Sequence, residues 1–157
     1  MEYKIRELKP SEYYLLNEFI YEAIFQRDPQ NLLPRTVIQN KDLQRYTLAF
    51  GTLRDDYCLG AEVDGKIVGA VWVRNIKGFG CIDNDTPEFA ISLYKEYRGQ
   101  GIGTELMKAM LCLLKEKGYR RVTLAVQHDN YAMKMYEKVG FEVFGAKPEE
   151  YIMIYYF

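Results

Sequence analysis

The feature that most constrains this chain is a glycine-rich run set between a β-rich segment and an amphipathic helix. Arg98-Gly99-Gln100-Gly101-Ile102-Gly103 follows Glu88 to Tyr94, which reads as a strand. It precedes a helix with Leu106, Met110, Leu113 and Leu114 on one stripe, closed by Gly118. Arg121 to Val126 reads as the next strand, and strand, helix, strand in one sheet requires a right-handed parallel crossover. The run therefore lies at the carboxyl edge of the sheet. Its glycines remove the Cβ atoms that would hold a ligand off the backbone, and they permit positive φ. The bare amides join the orphan donors and positive dipole end of the helix, which makes a site for a phosphate or pyrophosphate. Arg98 offers a bidentate positive charge there. A ligand-free strand-to-helix turn is the competing reading. Two other phosphate loops fail on spacing. A Walker A loop needs a Lys that Gly103-Thr104 lacks, and a dinucleotide fingerprint needs Gly at Thr104 and an acid among Thr123, Leu124 and Ala125.

The rest of the chain supplies partners for this unit. Tyr3 to Leu8 alternates as a first strand and leads into a helix capped by Ser11, with Leu15, Leu16, Phe19, Ile20, Ala23 and Ile24 on its buried face. A second helical pattern runs from Thr36 to Phe50 and ends at Gly51. Asp64-Gly65 between Tyr57–Val63 and Lys66–Val73 predicts an antiparallel hairpin. A loop rich in Gly, Asn and Asp spans Asn75 to Pro87. Asn130 caps a short helix through Val139, and Phe141 to Phe144 and Ile152 to Phe157 give the last two strands. No linker or repeat interrupts residues 1–157, which read as a single domain.

Charge and composition exclude several classes. Lys+Arg 21 against Asp+Glu 22 leaves a net charge of −1, without the basic field of a nucleic-acid binder. No apolar run approaches the roughly 20 residues of a bilayer span, and the N-terminus lacks a secretory signal, so a cytoplasmic address and no membrane partner are expected. Cys58, Cys81 and Cys112 lie far apart and read as buried or half-buried apolar residues; with His128 the only histidine, no metal site is expected.

Arg98-x-x-Gly101-x-Gly103 resembles the Arg/Gln-x-x-Gly-x-Gly/Ala signature of the GNAT superfamily of acetyl-CoA-dependent N-acetyltransferases. Glu88 to Tyr97 is similar to that family's fourth strand. Asn130 to Phe141 resembles its Asn-x-x-Ala-x-x-x-Tyr-x-x-x-Gly-Phe segment. The resemblance implies an α/β fold: a mixed, mostly antiparallel central sheet with parallel, splayed strands four and five, flanked by helices. It implies acetyl-CoA as co-substrate and no metal. The backbone at Ile91, Ser92 and Leu93 would pair with the pantetheine amides. Arg98, Gly99, Gln100, Gly101, Ile102, Gly103 and Thr104 would hold the pyrophosphate, Asn130 would touch the pantetheine arm, and Tyr136 would face the thioester sulfur.

Transfer to an amine of pKa about 10 requires a group that removes its proton at neutral pH. Glu88 is the candidate base, with an exposed carboxylate at the strand start as the alternative. Tyr136 is the candidate acid, and it also fits a core position beside Ala132 and Val139. Helix capping alone would explain Asn130. Asp83, Asp85 and Glu88 form either a patch for a cationic substrate or a solvated loop. Trp72 and the tyrosines fit an acceptor pocket or cross-strand pairs, and His128 reads as an exposed loop residue. The expected reaction is acetyl transfer to the primary amine of a small molecule or amino acid by direct attack on the thioester. A protein Lys or N-terminal acceptor, or an acyl-CoA sensor without turnover, is the alternative, and a homodimer is left open.

Overall fold

Alternating residues at the N-terminus form β1 (Lys4–Glu7) in the computed structural model, which describes residues 1–157. The helix that follows does not start at Ser11. Pro10–Leu15 is a 3-10 turn whose entry is Lys9, with the Glu12 carboxylate accepting the Lys9 N–H at 2.8 Å, and α1 is Leu16–Ala23. Leu16, Phe19 and Ile20 are buried as expected, while Leu15, Ala23 and Ile24 are half-buried.

The predicted helix from Thr36 to Phe50 is broken into a 3-10 turn at Arg35–Gln39 and a single turn of helix, α2 (Lys41–Gln44). Its periodicity is real, but tertiary partners take the backbone groups a continuous helix would use. Asn40 Oδ1 accepts the Asp42 N–H and restarts the chain as an N-cap. The carbonyls of Arg45 and Leu48 accept Arg74 Nη1 at 3.1 and 2.7 Å. Ala49, at φ 52°, ends the helical conformation.

The hairpin is as read. Asp64 and Gly65 have φ of 49° and 79°, and they join β2 (Tyr57–Val63) to β3 (Lys66–Arg74) in antiparallel register. After β4 (Glu88–Leu93) come α3 (Ile102–Glu116), β5 (Arg121–Gln127), α4 (Ala132–Val139), β6 (Glu142–Ala146) and β7 (Glu150–Tyr156). The sheet order is β1-β2-β3-β4-β5-β7-β6. Every pairing is antiparallel except β4 with β5, which is parallel and has one registered pair, Glu88 with Thr123. The two strands then part.

One core lies between the sheet and α3, where Ile102, Leu106, Met107, Met110 and Leu114 pack on Val71, Val73 and Val122. A second lies under α1 and the α2 region, around Leu16, Phe19, Tyr46, Phe50 and Trp72. Trp72 is a core residue that donates its indole N–H to the Tyr46 carbonyl at 3.0 Å. Of the cysteines, Cys58 is buried and Cys81 half-buried, but Cys112 is exposed because it sits on the outer face of α3. No helix is long and apolar enough to cross a membrane.

Arg74 anchors the α2 region to the sheet. Its guanidinium pairs with Asp56 at 2.9 and 3.1 Å, with both side chains almost fully buried. Removing one member of such a pair leaves a buried charge without its counter-ion. Asp56→Ala is expected to lower the urea-unfolding free energy by about 3 kcal/mol. A loss under ~1 kcal/mol would show that water reaches Arg74.

Candidate active site

The divergence of β4 and β5 leaves one edge of β4 beyond Glu88 facing a gap without a strand partner. Ile91 is half-buried at this gap, whereas the Ser92 side chain turns to α1 and donates to the Phe19 carbonyl at 2.6 Å. Leu93 packs in the core. The chain leaves β4 toward the glycine run at the start of α3, and no residue of that run lines the cavity into which the gap opens. Gly99 and Gly101 have φ of 72° and 87°, a region that side chains resist, and an added Cβ at either would meet nothing within 4 Å. Their backbone is therefore open to a ligand. Gly103 differs, since it is buried and its added Cβ would sit 3.5 Å from Leu93 Cδ1 and 3.8 Å from Met135 Sδ. It serves helix packing. The helical ladder begins with the Glu105 N–H donating to the Gly101 carbonyl, so the amides of Ile102, Gly103 and Thr104 have no intrahelical partner.

Arg98 does not stand free over this loop. Its Nε donates to the Leu93 carbonyl at 3.0 Å, and its Nη2 donates to the carbonyl and carboxylate of Glu22 at 3.2 and 3.1 Å. The guanidinium ties the loop to β4 and α1. Gln100 Nε2 donates to the Glu96 carbonyl, and Ile102 is buried in the core. What the run offers an anion is backbone amides rather than side-chain charge.

The gap opens into a cavity of about 700 Å³. Ile91 and Val126 line it from β4 and β5, Asn130 from the loop after β5 and Tyr136 from α4, and α1, the α2 region and the segment before β7 complete the lining. Glu88 lines it too. It is not the exposed strand-start carboxylate of the alternative reading, being 3% exposed. Burial pushes its carboxyl from 4.5 up to about 7, while the Tyr46 hydrogen bond and the nearby Gly80 amide pull the other way. Tyr46 donates its hydroxyl to Glu88 Oε2 and accepts the Phe79 N–H at 2.9 Å. Glu88 Oε1 is buried with no partner. A carboxyl poised near neutrality with an unused oxygen has the properties of a general base.

Tyr136 is half-buried, and its hydroxyl has no protein hydrogen-bond partner; burial pushes its phenol up to about 12. The packing reading is seen directly, since the ring packs edge-on to Phe141 at 6.4 Å and lies against the core. Asp83 is not part of this cavity. It accepts N–H donors from Asp85 and Thr86 at 2.8 Å and pairs with Arg121, so Asp83 belongs to a turn while Glu88 is a separate buried carboxyl. His128 is exposed at the cavity rim. Sequence reasoning missed Tyr46 and the Gly78-Phe79-Gly80 segment. Tyr46 lies 42 residues from its partner, in a stretch read as one helix face. The only available signal was an aromatic residue bracketed by glycines in an otherwise polar loop.

The profile of the acetyltransferase (GNAT) family matches residues 17–141. The chain belongs to this family. It is similar to N-alpha-acetyltransferase 30 of Schizosaccharomyces pombe, 44% identical over 52 residues that cover 32% of this chain and 35% of that protein. It is also similar to the mycothiol acetyltransferase of Corynebacterium aurimucosum, 42% identical over 64 residues covering 38% of this chain and 21% of that one. The chain thus spans about a third and about a fifth of these relatives' length. The fold matches the PaiA N-acetyltransferase from Thermoplasma acidophilum in complex with coenzyme A, at a TM-score of 0.71 and 21% identity over 100% of both chains. Within the GNAT frame one position needs correction. Counting back from Tyr136, Ala132 fits the family's segment, but its asparagine falls on Asp129, and Asn130 stands one residue too near. Asn130 Oδ1 accepts the Ala132 N–H at 2.9 Å, the capping role the sequence left open, and Asp129 pairs with Arg27.

Proposed function

We propose that this GNAT chain transfers the acetyl group of acetyl-CoA to the primary amine of a small molecule or amino acid by direct attack on the thioester. The observation that carries the reading is the single cavity that holds the Glu88 carboxyl and the Tyr136 hydroxyl and continues into the β4–β5 gap. Acetyl-CoA, when bound, supplies the activated acetyl thioester. The open backbone at Gly99 and Gly101 and the first-turn amides of α3 suit its pyrophosphate, and the free edge of β4 suits its amides. Glu88 accepts the proton of the incoming ammonium, so a neutral nitrogen forms the new C–N bond. Tyr136 donates a hydrogen bond toward the sulfur as the C–S bond breaks. The nitrogen loses two protons in all: the first goes to Glu88 before attack and is later released to solvent, and the second leaves the nitrogen after the C–N bond forms and ends on the thiolate as the thiol.

Half-buried apolar side chains such as Ile24, Val37, Leu43 and Phe79 wall the acceptor end, which suits a small amine on a hydrocarbon frame. A second reading, a protein Lys or N-terminal acceptor, is favoured by the similarity to an N-alpha-acetyltransferase. Thiol release measured across small amines, amino acids and peptides separates the two. Release with none of them, despite binding, would support the sensor alternative.

Acetyl-CoA at about 100 times Kd is expected to raise Tm by about 5–10 °C. Gly101→Val is expected to abolish the shift while the protein still unfolds cooperatively, because a β-branched residue cannot hold φ 87° and its Cβ fills the open side of the loop. A full shift in the valine variant would reduce the run to a turn.

A further inference from the structure

The segment between β3 and β4 is pinned at successive backbone groups. Arg45 Nη1 donates to the Lys77 carbonyl, and the Gly78 carbonyl accepts the Cys81 N–H at 3.3 Å. The Phe79 N–H donates to Tyr46 Oη, and the Phe79 carbonyl accepts Lys147 Nζ at 2.7 Å. The Gly80 carbonyl accepts the buried Thr123 hydroxyl at 2.8 Å. Four elements therefore hold one short strap against Glu88: the α2 region, β5, the β6–β7 turn and the strap's own turn. The Phe79 ring stacks on Tyr46 at 6.2 Å with an 18° tilt.

Gly78 and Gly80 are not needed for their backbone angles, since neither has positive φ. They are needed for space. A Cβ on Gly78 would sit 2.5 Å from Glu88 Oε1, 2.5 Å from the Tyr46 hydroxyl and 2.9 Å from Glu88 Oε2. A Cβ on Gly80 would meet the β5 backbone at Leu124 and Ala125, at 3.0 and 3.2 Å, and Glu88 Cδ at 3.2 Å. The clash at 80 is with rigid strand backbone. The clash at 78 is with both members of the Tyr46–Glu88 hydrogen bond and nothing else within the three nearest atoms.

We propose that Gly78 is a positioning residue of the transfer reaction, its bare Cα closing over the Glu88 carboxyl so that Tyr46 and the strap hold that group at the floor of the cavity. The proposal rests on Glu88 being the base. A methyl group at 78 pushes the carboxyl off Tyr46 and out of line with the amine. The charged groups facing Glu88 are Arg45 and Lys147, which both favour the carboxylate. Asp42, His128, Asp129, Glu149 and Glu150 line the shared cavity, with Arg27 on Asp129. None of them lies on the strap, so a change at 78 acts on Glu88 through position rather than through added charge.

The test follows the carboxyl directly. In protein labelled with [δ-13C]glutamate, the Glu88 resonance is the one that Glu88→Gln removes, and its titration midpoint is read from pH 4 to 9. Gly78→Ala is expected to move that midpoint by at least half a pH unit. With the best amine of the thiol-release panel it is expected to lower kcat at least tenfold, with KM for acetyl-CoA changed less than twofold. Tyr46→Phe, which keeps the ring stack but removes the hydroxyl that favours the carboxylate, is expected to move the midpoint upward. Gly145→Ala is the control, at a glycine of β6 with nothing within 4 Å of an added Cβ, and it is expected to change neither quantity. An unmoved midpoint and undiminished kcat in Gly78→Ala would overturn the proposal. If Gly78→Ala does not fold, an unmoved midpoint in Tyr46→Phe overturns it instead. A Glu88→Gln variant with wild-type kcat would overturn the base reading itself, whatever Gly78→Ala does. If both hold, Gly78→Ala in the Glu88→Gln background adds no further loss of kcat.

Discussion

Glu88→Gln is expected to lower kcat about 10³-fold at pH 7, the middle of the range for a lost general base, with acetyl-CoA affinity unchanged. The pH dependence gives the sharper signature. If Glu88 is the base, wild-type activity is expected to rise as Glu88 ionises, with a midpoint at about 7. In the variant that midpoint is gone, and the residual rate climbs about tenfold per pH unit with the fraction of free amine, toward the amine pKa near 10. The defect therefore shrinks as pH rises. Stability carries the same titration in the absence of any substrate. The folded-state value lies above the ordinary 4.5, so the contribution of protonated Glu88 is complete below 4.5 and is lost as pH rises through about 7. The wild-type protein is expected to lose on the order of 3 kcal/mol across that window relative to Glu88→Gln, read from urea unfolding at several pH values. Parallel stability curves for the two proteins would show that the carboxyl is solvated.

Tyr136→Phe is expected to lower kcat on the order of 10²-fold, with Tm and acetyl-CoA binding nearly unchanged because the ring and its contact with Phe141 remain. The perturbed acidity refines the role expected from the sequence. A phenol at about 12 is a weaker acid than a thiol near about 8.5, so complete proton transfer to the sulfur runs uphill. On the proposed reading the hydroxyl supplies a hydrogen bond that strengthens as negative charge grows on the sulfur. It stays protonated throughout the working range, so the variant's defect should hold constant from pH 6 to 9. A defect that vanishes above the thiol pKa would instead mark full proton donation. Wild-type kcat in the variant would leave Tyr136 a packing residue.

The sheet and the loop were legible because their signals are local. Asp64-Gly65 specifies its hairpin by the φ values the two residues accept. The glycines at 99 and 101 likewise mark positions where the backbone turns left-handed in front of a helix. The apolar stripe of α3, from Leu106 to Leu114, needs only its own spacing to declare a buried face.

Long-range pairing was not legible. The helical pattern from Thr36 to Phe50 gave no hint that buried Arg74 would claim the carbonyls of Arg45 and Leu48 and break the helix. That break carries Tyr46 to Glu88, and the Gly78-Phe79-Gly80 strap closes on the pair from a loop that read only as polar. The sequence by itself determined the strand order around the crossover, and it marked the glycine run, Glu88 and Tyr136 as candidates. Only the tertiary structure decided that Glu88 is buried, shifted and hydrogen-bonded, and that Arg98 is spent on Glu22. The physical reason is that backbone conformation is set by neighbours in the chain. Desolvation and charge pairing are set by neighbours in space, which here lie tens of residues away.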